Sequence, residues 1–118
     1  MPKILVVDDA EFLRLRITKM LSGEGYEVFE AENGVKAIQV YQANHPDLVL
    51  MDVTMPEMDG LTALKQIRAF DVKAKIIMLT ALGQESVVLE AIKSGARDFV
   101  VKPFERDRVL TAIKKILG

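Results

Sequence analysis

The chain has 118 residues, a formal net charge of −1 and no cysteine, which suits one domain, residues 1–118, with a single hydrophobic core. Its scattered basic residues argue against a nucleic-acid partner, and the absence of cysteine excludes disulfides and thiolate metal sites. No apolar run reaches the length of a secretory or membrane-spanning segment, so we expect a cytoplasmic protein without a membrane partner.

Five short apolar segments alternate with segments of helical periodicity along the chain. The apolar segments, which predict strands, are residues 3–7, 26–31, 48–51, 75–79 and 98–101. The first helix follows Asp9, its predicted N-cap, and ends near Gly23 or Gly25. The later helices are predicted at residues 35–43, from residue 60 onwards, and at residues 84–94 and 105–117.

This alternation predicts a doubly wound α/β fold of flavodoxin-like type, with five helices on the two faces of a five-stranded parallel sheet. Segment 48–51 is continuously apolar, as expected for a strand that is buried on both faces. Segment 26–31 is less purely apolar, which predicts an edge strand. Because crossovers between parallel strands are right-handed, the expected strand order is 2-1-3-4-5.

Polar residues follow the ends of four predicted strands. Asp8 and Asp9 follow the first strand, Asp52 the third, Thr80 the fourth and Lys102 the fifth. The carboxyl ends of parallel strands share one edge of the sheet, and strands 1 and 3 are neighbours in the expected order. These five side chains should therefore meet at one site.

Three carboxylates packed closely together repel one another and require either raised pKa values or a bound cation. Oxygen ligands without histidine or cysteine favour Mg²⁺. A carboxylate in such a site can also act as a nucleophile and form an aspartyl-phosphate. We predict that Asp52 accepts a phosphoryl group and that Asp8 and Asp9 bind the metal. Lys102 and the Thr80 hydroxyl are predicted to contact phosphoryl oxygens.

Four segments resemble the signature motifs of response-regulator receiver domains. They are residues 6–9 (VVDD), 51–60 (MDVTMPEMDG), 80–81 (TA) and 102–104 (KPF), and the similarity extends over essentially the whole chain. Within that family, residues 8–12 and 83–104 are most similar to the stand-alone chemotaxis regulators.

The resemblance implies that a chemotaxis-type histidine kinase donates the phosphoryl group to Asp52. It also implies that Mg²⁺ is bound directly by Asp9, Asp52 and the backbone carbonyl of Thr54, and through water by Asp8. A regulator of this kind is expected to be monomeric. It is not expected to be an enzyme for external substrates, because it catalyses only its own phosphorylation and dephosphorylation.

Phosphorylation adds charge and acceptor oxygens at Asp52, which should draw the Thr80 hydroxyl towards the phosphoryl group. By similarity to the family, Phe99 then moves inward to fill the space behind Thr80, and a cis bond between Lys102 and Pro103 orients the lysine. The resemblance assigns the resulting surface change to the fourth helix, the fifth strand and the fifth helix.

The fourth predicted helix carries more apolar surface than one face of a sheet covers. Its apolar residues span roughly 200° of the helical wheel, whereas a helix that rests on a sheet needs about 100°. We therefore predict that Glu85, Val88 and Ile92 face a partner, together with Phe99. The partner that the resemblance implies is a flagellar motor switch protein or a phosphatase.

Two positions bear on the lifetime of the phosphorylated state. In the family, the residues two after the acceptor and two after the hydroxyl residue line the path of the attacking water, and here they are Thr54 and Leu82. Neither side chain is an acid or an amide that orients water, which predicts moderate to slow autodephosphorylation.

Other functions agree with parts of this pattern. The chain could be another single-domain receiver, such as a phosphorelay intermediate, or the receiver part of a longer regulator. A Mg²⁺-dependent phosphohydrolase acting through Asp52 belongs to a different class, and the sequence has neither a glycine-rich phosphate loop nor a substrate cap. A flavodoxin-like flavin carrier needs a phosphate loop rich in Gly, Ser and Thr after the first strand, where this chain has acids.

Overall fold

Five parallel strands form one sheet in the computed structural model, which describes all residues from 1 to 118. The strands are β1 (Lys3–Val7), β2 (Glu27–Ala31), β3 (Leu48–Asp52), β4 (Ile76–Thr80) and β5 (Asp98–Val101). Their order is β2-β1-β3-β4-β5, and every neighbouring pair is parallel. The predicted fold class and strand order are confirmed, including the edge position of the second strand.

Five helices connect and follow the strands. They are α1 (Glu11–Gly23), α2 (Gly34–Asn44), α3 (Gly60–Phe70), α4 (Glu85–Lys93) and α5 (Arg106–Leu117). Asn33 caps α2 and Asp59 caps α3, each through a side-chain oxygen that accepts a backbone N–H hydrogen bond from the first turn. None of the five helices is both long enough and apolar enough to cross a bilayer.

The predicted cap of α1 is wrong. Ala10, not Asp9, occupies the N-cap position, and no side chain caps this helix. The carboxylate of Asp8 instead accepts a hydrogen bond of 2.9 Å from the Ala10 N–H. The physical reason is that the Asp9 carboxylate lies with other acids at the end of the sheet rather than over the first turn of the helix.

The hydrophobic core has two halves, one on each face of the sheet. Buried residues of α2, α3 and α4 pack on one face, and buried residues of α1 and α5 pack on the other. Successive residues of β3 and β4 contribute to opposite halves, and all ten residues of these two strands are buried. This burial on both faces explains why the sequence of β3 is continuously apolar until it reaches Asp52.

Tyr41 gives the first testable prediction. This residue of α2 is buried in the core, and its hydroxyl donates a 2.7 Å hydrogen bond to Asp71. Burial and this hydrogen bond raise the pKa of Tyr41, so that the hydroxyl stays a donor, and the same hydrogen bond lowers the pKa of Asp71. Replacing Tyr41 by Phe should lower the free energy of unfolding by about 1 kcal/mol in urea denaturation followed by circular dichroism.

The matched control is Tyr26→Phe, at a half-buried tyrosine that packs against the other half of the core. Since the Tyr26 hydroxyl has no hydrogen-bond partner in the protein, this variant should match the native protein to within a few tenths of a kcal/mol. Equal losses in the two variants would contradict a stabilising role for the contact between Tyr41 and Asp71.

Candidate functional site

The carboxyl ends of the strands align side chains at one edge of the sheet. Val7 of β1 pairs with Met51 of β3, so Asp8 and Asp52 follow at the same level. One carboxylate oxygen from each of Asp8, Asp9 and Asp52 lies within 4.8 Å of the other two. The structure therefore brings together the three acids that the sequence predicts.

Lys102 reaches this acidic cluster from the end of β5. Its Nζ atom lies 2.9 Å from Oδ2 of Asp8 and 3.1 Å from Oδ1 of Asp52. Burial alone lowers the pKa of Lys102, but the hydrogen bond to Asp8 and the attraction of Asp52 outweigh it, and the pKa is raised overall. Lys102 therefore remains a cation and partly compensates two acids at once. The bond between Lys102 and Pro103 is cis, as predicted.

Asp8 is the most firmly held acid of the site. Its side chain is fully buried, and its two oxygens accept hydrogen bonds from the Ala10 N–H and from Lys102. The guanidinium of Arg14 also donates a 2.7 Å hydrogen bond to the backbone carbonyl of Asp8. Asp9, by contrast, is exposed, so it can adjust its position to a ligand.

Asp52 combines burial with one available oxygen. Only 7% of the residue is exposed, and burial together with the charge of Asp8 raises its pKa to about 6, against the opposing attraction of Lys102. Its Oδ1 atom accepts a hydrogen bond from Lys102, whereas Oδ2 accepts none. No side-chain oxygen in the protein is both buried and without a hydrogen-bond partner. The Oδ2 atom is therefore accessible from solvent.

The donor set suits a hard divalent cation. Three carboxylates and one ammonium leave two negative charges uncompensated, which a divalent ion balances. All the available ligand atoms are oxygens, the type that Mg²⁺ prefers. Thr54 is an exposed residue of the loop after β3, two positions after Asp52 in the chain. The residues present thus fit Mg²⁺.

Thr80 is buried at the end of β4, with 2% of the residue exposed. Its hydroxyl lies 2.9 Å from Oε1 of Gln84 and 3.2 Å from the Ala81 carbonyl. Gln84 also accepts a hydrogen bond from the Ala81 N–H and donates one to the Thr54 hydroxyl. Sequence reasoning missed Gln84, although its spacing of three residues after Ala81 is one at which glutamine reaches back to a backbone N–H.

Gly60 is a second residue whose role sequence reasoning missed, since we predicted it only as the start of a helix. A Cβ atom at this position would lie 1.9 Å from the backbone carbonyl oxygen of Asp52. The Gly60 N–H also donates a 2.8 Å hydrogen bond to the Val53 carbonyl. Only glycine lets the beginning of α3 lie this close to the end of β3.

The predicted partner surface borders a groove between α4 and β5, with a volume of about 320 Å³. Its apolar lining includes Leu82, Val88, Leu89, Ile92, Phe99 and Val101. Glu85 and Ile92 are exposed as predicted, and Phe99 is 38% exposed. The position of Phe99 beside the groove corresponds to an outward arrangement of its ring.

The prediction that Val88 is part of the exposed partner surface is wrong, although the residue also lines the groove. Val88 is only 8% exposed, because it lies on the same face of α4 as Ala91, which packs against the sheet. Leu89, the next residue, is 62% exposed instead. The apolar surface of α4 is therefore present, but it is formed by Leu89 and Ile92.

The fold, the strand-end acids and the lysine together define a response-regulator receiver, and residues 4–114 match the response regulator receiver domain family. The chain belongs to this family, the receivers of two-component systems.

Its similarity within the family is to chemotaxis proteins. The chemotaxis protein CheY of Bacillus subtilis is 57% identical over 117 residues, which cover 98% of each chain. CheY of Listeria monocytogenes is 53% identical over 116 residues, again with 98% of each chain covered. Among solved structures, the CheX–CheY–BeF3–Mg²⁺ complex of Borrelia burgdorferi matches with a TM-score of 0.92 and 36% identity over 98% of this chain and 89% of that one.

The raised pKa of Asp52 predicts that this acid destabilises the metal-free fold. The pKa of Asp52 in the folded state, about 6, exceeds the ordinary value of 3.8, so the folded state binds a proton more readily than the unfolded state. The fold therefore has its full stability below a pH of about 4 and loses part of it as the pH rises through about 6 and Asp52 ionises. In EDTA at pH 7, Asp52→Asn should therefore raise the free energy of unfolding by about 2–3 kcal/mol.

The difference should shrink as the pH is lowered from about 6 and should disappear below about 4, where Asp52 binds a proton in the unfolded state as well. Asp107→Asn, at an exposed acid of α5, is the control and should change stability by less than about 0.5 kcal/mol. An Asp52→Asn variant that is no more stable than the native protein at pH 7 would refute the conclusion that ionised Asp52 destabilises the metal-free fold.

Proposed function

We propose that the chain is a phosphorylation-activated receiver that takes a phosphoryl group on Asp52 from a histidine kinase and signals by protein contact in chemotaxis. The observation that carries the proposal is the state of Asp52, with one oxygen 3.1 Å from the Lys102 ammonium and the other accessible. Similarity to CheY proteins over 98% of the chain supports the choice of pathway. A cytoplasmic location and a monomeric state belong to the same proposal.

In the proposed transfer, Oδ2 of Asp52 attacks the phosphorus of a kinase phosphohistidine. A P–O bond forms, the P–N bond breaks, and the electron pair of that bond stays on the imidazole nitrogen. Asp52 must be ionised to attack, and the charge of Lys102 favours the ionised form. The same ammonium is placed to bind a phosphoryl oxygen once charge develops there.

The proposed ligands of Mg²⁺ are Asp9 and Asp52, the backbone carbonyl of Thr54, and Asp8 through water. When bound, Mg²⁺ neutralises charge on the phosphoryl oxygens. Asp8 contributes in a second way, because its contact with Lys102 holds the ammonium beside Asp52. Removing Asp8 is therefore expected to disturb the lysine as well as the metal.

The proposed switch begins at Thr80. Its neighbour Leu79 is the cross-strand partner of Asp52, so a small shift brings the Thr80 hydroxyl towards a phosphoryl oxygen. We propose that Phe99 then moves from its partly exposed position into the space behind Thr80. Both residues line the groove between α4 and β5. Their movement would change the surface offered to a flagellar motor switch protein or a phosphatase.

We also propose that the chain catalyses only its own phosphorylation and dephosphorylation. The acceptor is a residue of the chain itself, so each phosphoryl group must leave Asp52 before another can arrive. Multiple turnover of a small phosphate ester in the presence of Mg²⁺ would instead indicate a phosphohydrolase.

Intact mass spectrometry tests the acceptor directly. After incubation with acetyl phosphate and Mg²⁺, the native protein should gain the mass of one phosphoryl group, and EDTA should abolish the gain. Asp52→Asn should gain nothing, because the amide is not a nucleophile. The control Asp107→Asn should be phosphorylated like the native protein. A folded native protein that gains no phosphoryl group would refute the proposed function and leave a receiver that acts by binding alone.

The lifetime of the phosphorylated protein gives a further prediction. Because Thr54 and Leu82 offer no acid or amide to orient water, loss of the phosphoryl group should be moderate to slow, with a half-life longer than a few seconds. Leu82→Glu introduces an acceptor at an exposed position and should shorten the lifetime several-fold. The control Val72→Glu, at an exposed position away from the site, should not. A native half-life of a few seconds would contradict the prediction.

A further inference from the structure

The side chain of Gln84 connects two loops at the edge of the site. Its Oε1 atom accepts hydrogen bonds from the Thr80 hydroxyl at 2.9 Å and from the Ala81 N–H at 2.7 Å. Its Nε2 atom donates to the Thr54 hydroxyl at 2.8 Å. One amide therefore joins the loop after β3 to the loop after β4.

The hydrogen bond between Thr80 and Gln84 competes with the proposed switch. A threonine hydroxyl has a single proton, which it can direct to one strong acceptor at a time. In this structure the acceptors within reach are Oε1 of Gln84 and the Ala81 carbonyl. The hydroxyl can donate to a phosphoryl oxygen on Asp52 only after its hydrogen bond to Gln84 has broken.

We propose that Gln84 is a positioning residue that holds the Thr80 hydroxyl in the unphosphorylated arrangement and so sets the balance between the two states of the receiver. The inference rests on the proposed function of Asp52 and Thr80. Because this hydrogen bond exists only in the unphosphorylated state, its loss destabilises that state alone.

The magnitude follows from the size of one hydrogen bond. A net contribution typical of a partly buried side-chain hydrogen bond corresponds to a shift of about fivefold in a two-state equilibrium. The bond from the Ala81 N–H to Gln84 does not involve the moving hydroxyl, so it can persist in both states. The experiment therefore has to separate the loss of the hydrogen bond between Thr80 and Gln84 from the loss of the other hydrogen bonds of Gln84.

The experiment measures the affinity of the protein for beryllofluoride in saturating Mg²⁺ by isothermal titration calorimetry. Beryllofluoride imitates a phosphoryl group on a carboxylate, so its affinity reports the ease of reaching the active state. Gln84→Ala should bind it about fivefold more tightly than the native protein. Gln66→Ala, at an exposed glutamine of α3, is the matched control and should bind like the native protein.

A double-mutant cycle with Thr80→Ala separates the proposed role from a general effect on the loops. Without the hydroxyl, Gln84→Ala should no longer change the affinity for beryllofluoride. Gln84→Met keeps a long side chain and removes both polar atoms, and it should also bind beryllofluoride more tightly than the native protein. It replaces Gln84→Ala in the experiment if the alanine variant does not fold. In NMR spectra without beryllofluoride, the Thr80 methyl signal of the single variants Gln84→Ala and Gln84→Met should shift part of the way towards its position in the complex.

Equal affinities for native protein and Gln84 variants would overturn the inference, as would a tightening that survives in the Thr80→Ala background. Failure of the native protein to bind beryllofluoride, together with no gain of a phosphoryl group from acetyl phosphate, would overturn the proposed function and this inference with it. Normal phosphorylation with unchanged affinity in the Gln84 variants would overturn the inference alone.

Discussion

The interaction on which the site depends is the contact of one ammonium with two buried carboxylates. Lys102 lies 2.9 Å from Asp8 and 3.1 Å from Asp52, and without it two acids beside each other at the end of the sheet would repel with little water to screen them. The compensation is incomplete, because Asp9 adds a third negative charge. The charges of the site are therefore balanced only when a cation binds. In the metal-free protein, the free energy of folding offsets the repulsion between the three carboxylates.

The parallel sheet produces this arrangement with few sequence requirements. Each of β1, β3, β4 and β5 ends at the same edge, so a polar residue placed directly after an apolar run arrives at the site without a special loop. The two halves of the core hold the strands in register from both faces. Gly60 completes the framework, since its missing side chain lets α3 begin against the backbone of Asp52.

The fold and the strand-end residues could be predicted because they depend on patterns local in sequence: apolar runs, helical periodicity and the rule of right-handed crossovers. The errors concern choices between neighbouring residues, as for the cap of α1 and for Val88, where a rotation of the helix by one position decides which side chain is buried. Gln84 escaped prediction for another reason. Its contact with Thr54 joins residues 30 positions apart and depends on loop conformation, which no periodicity encodes.

Thr80 and Gln84 belong to the wall of the groove between α4 and β5 as well as to the edge of the acidic site. A target protein that occupies the groove therefore touches the same two side chains on which the proposed switch depends. Thermodynamic linkage makes such a coupling reciprocal: if phosphorylation strengthens binding of the target, the bound target equally stabilises the phosphorylated state. The amount of phosphorylated regulator in a cell would then depend on the abundance of its target as well as on kinase activity.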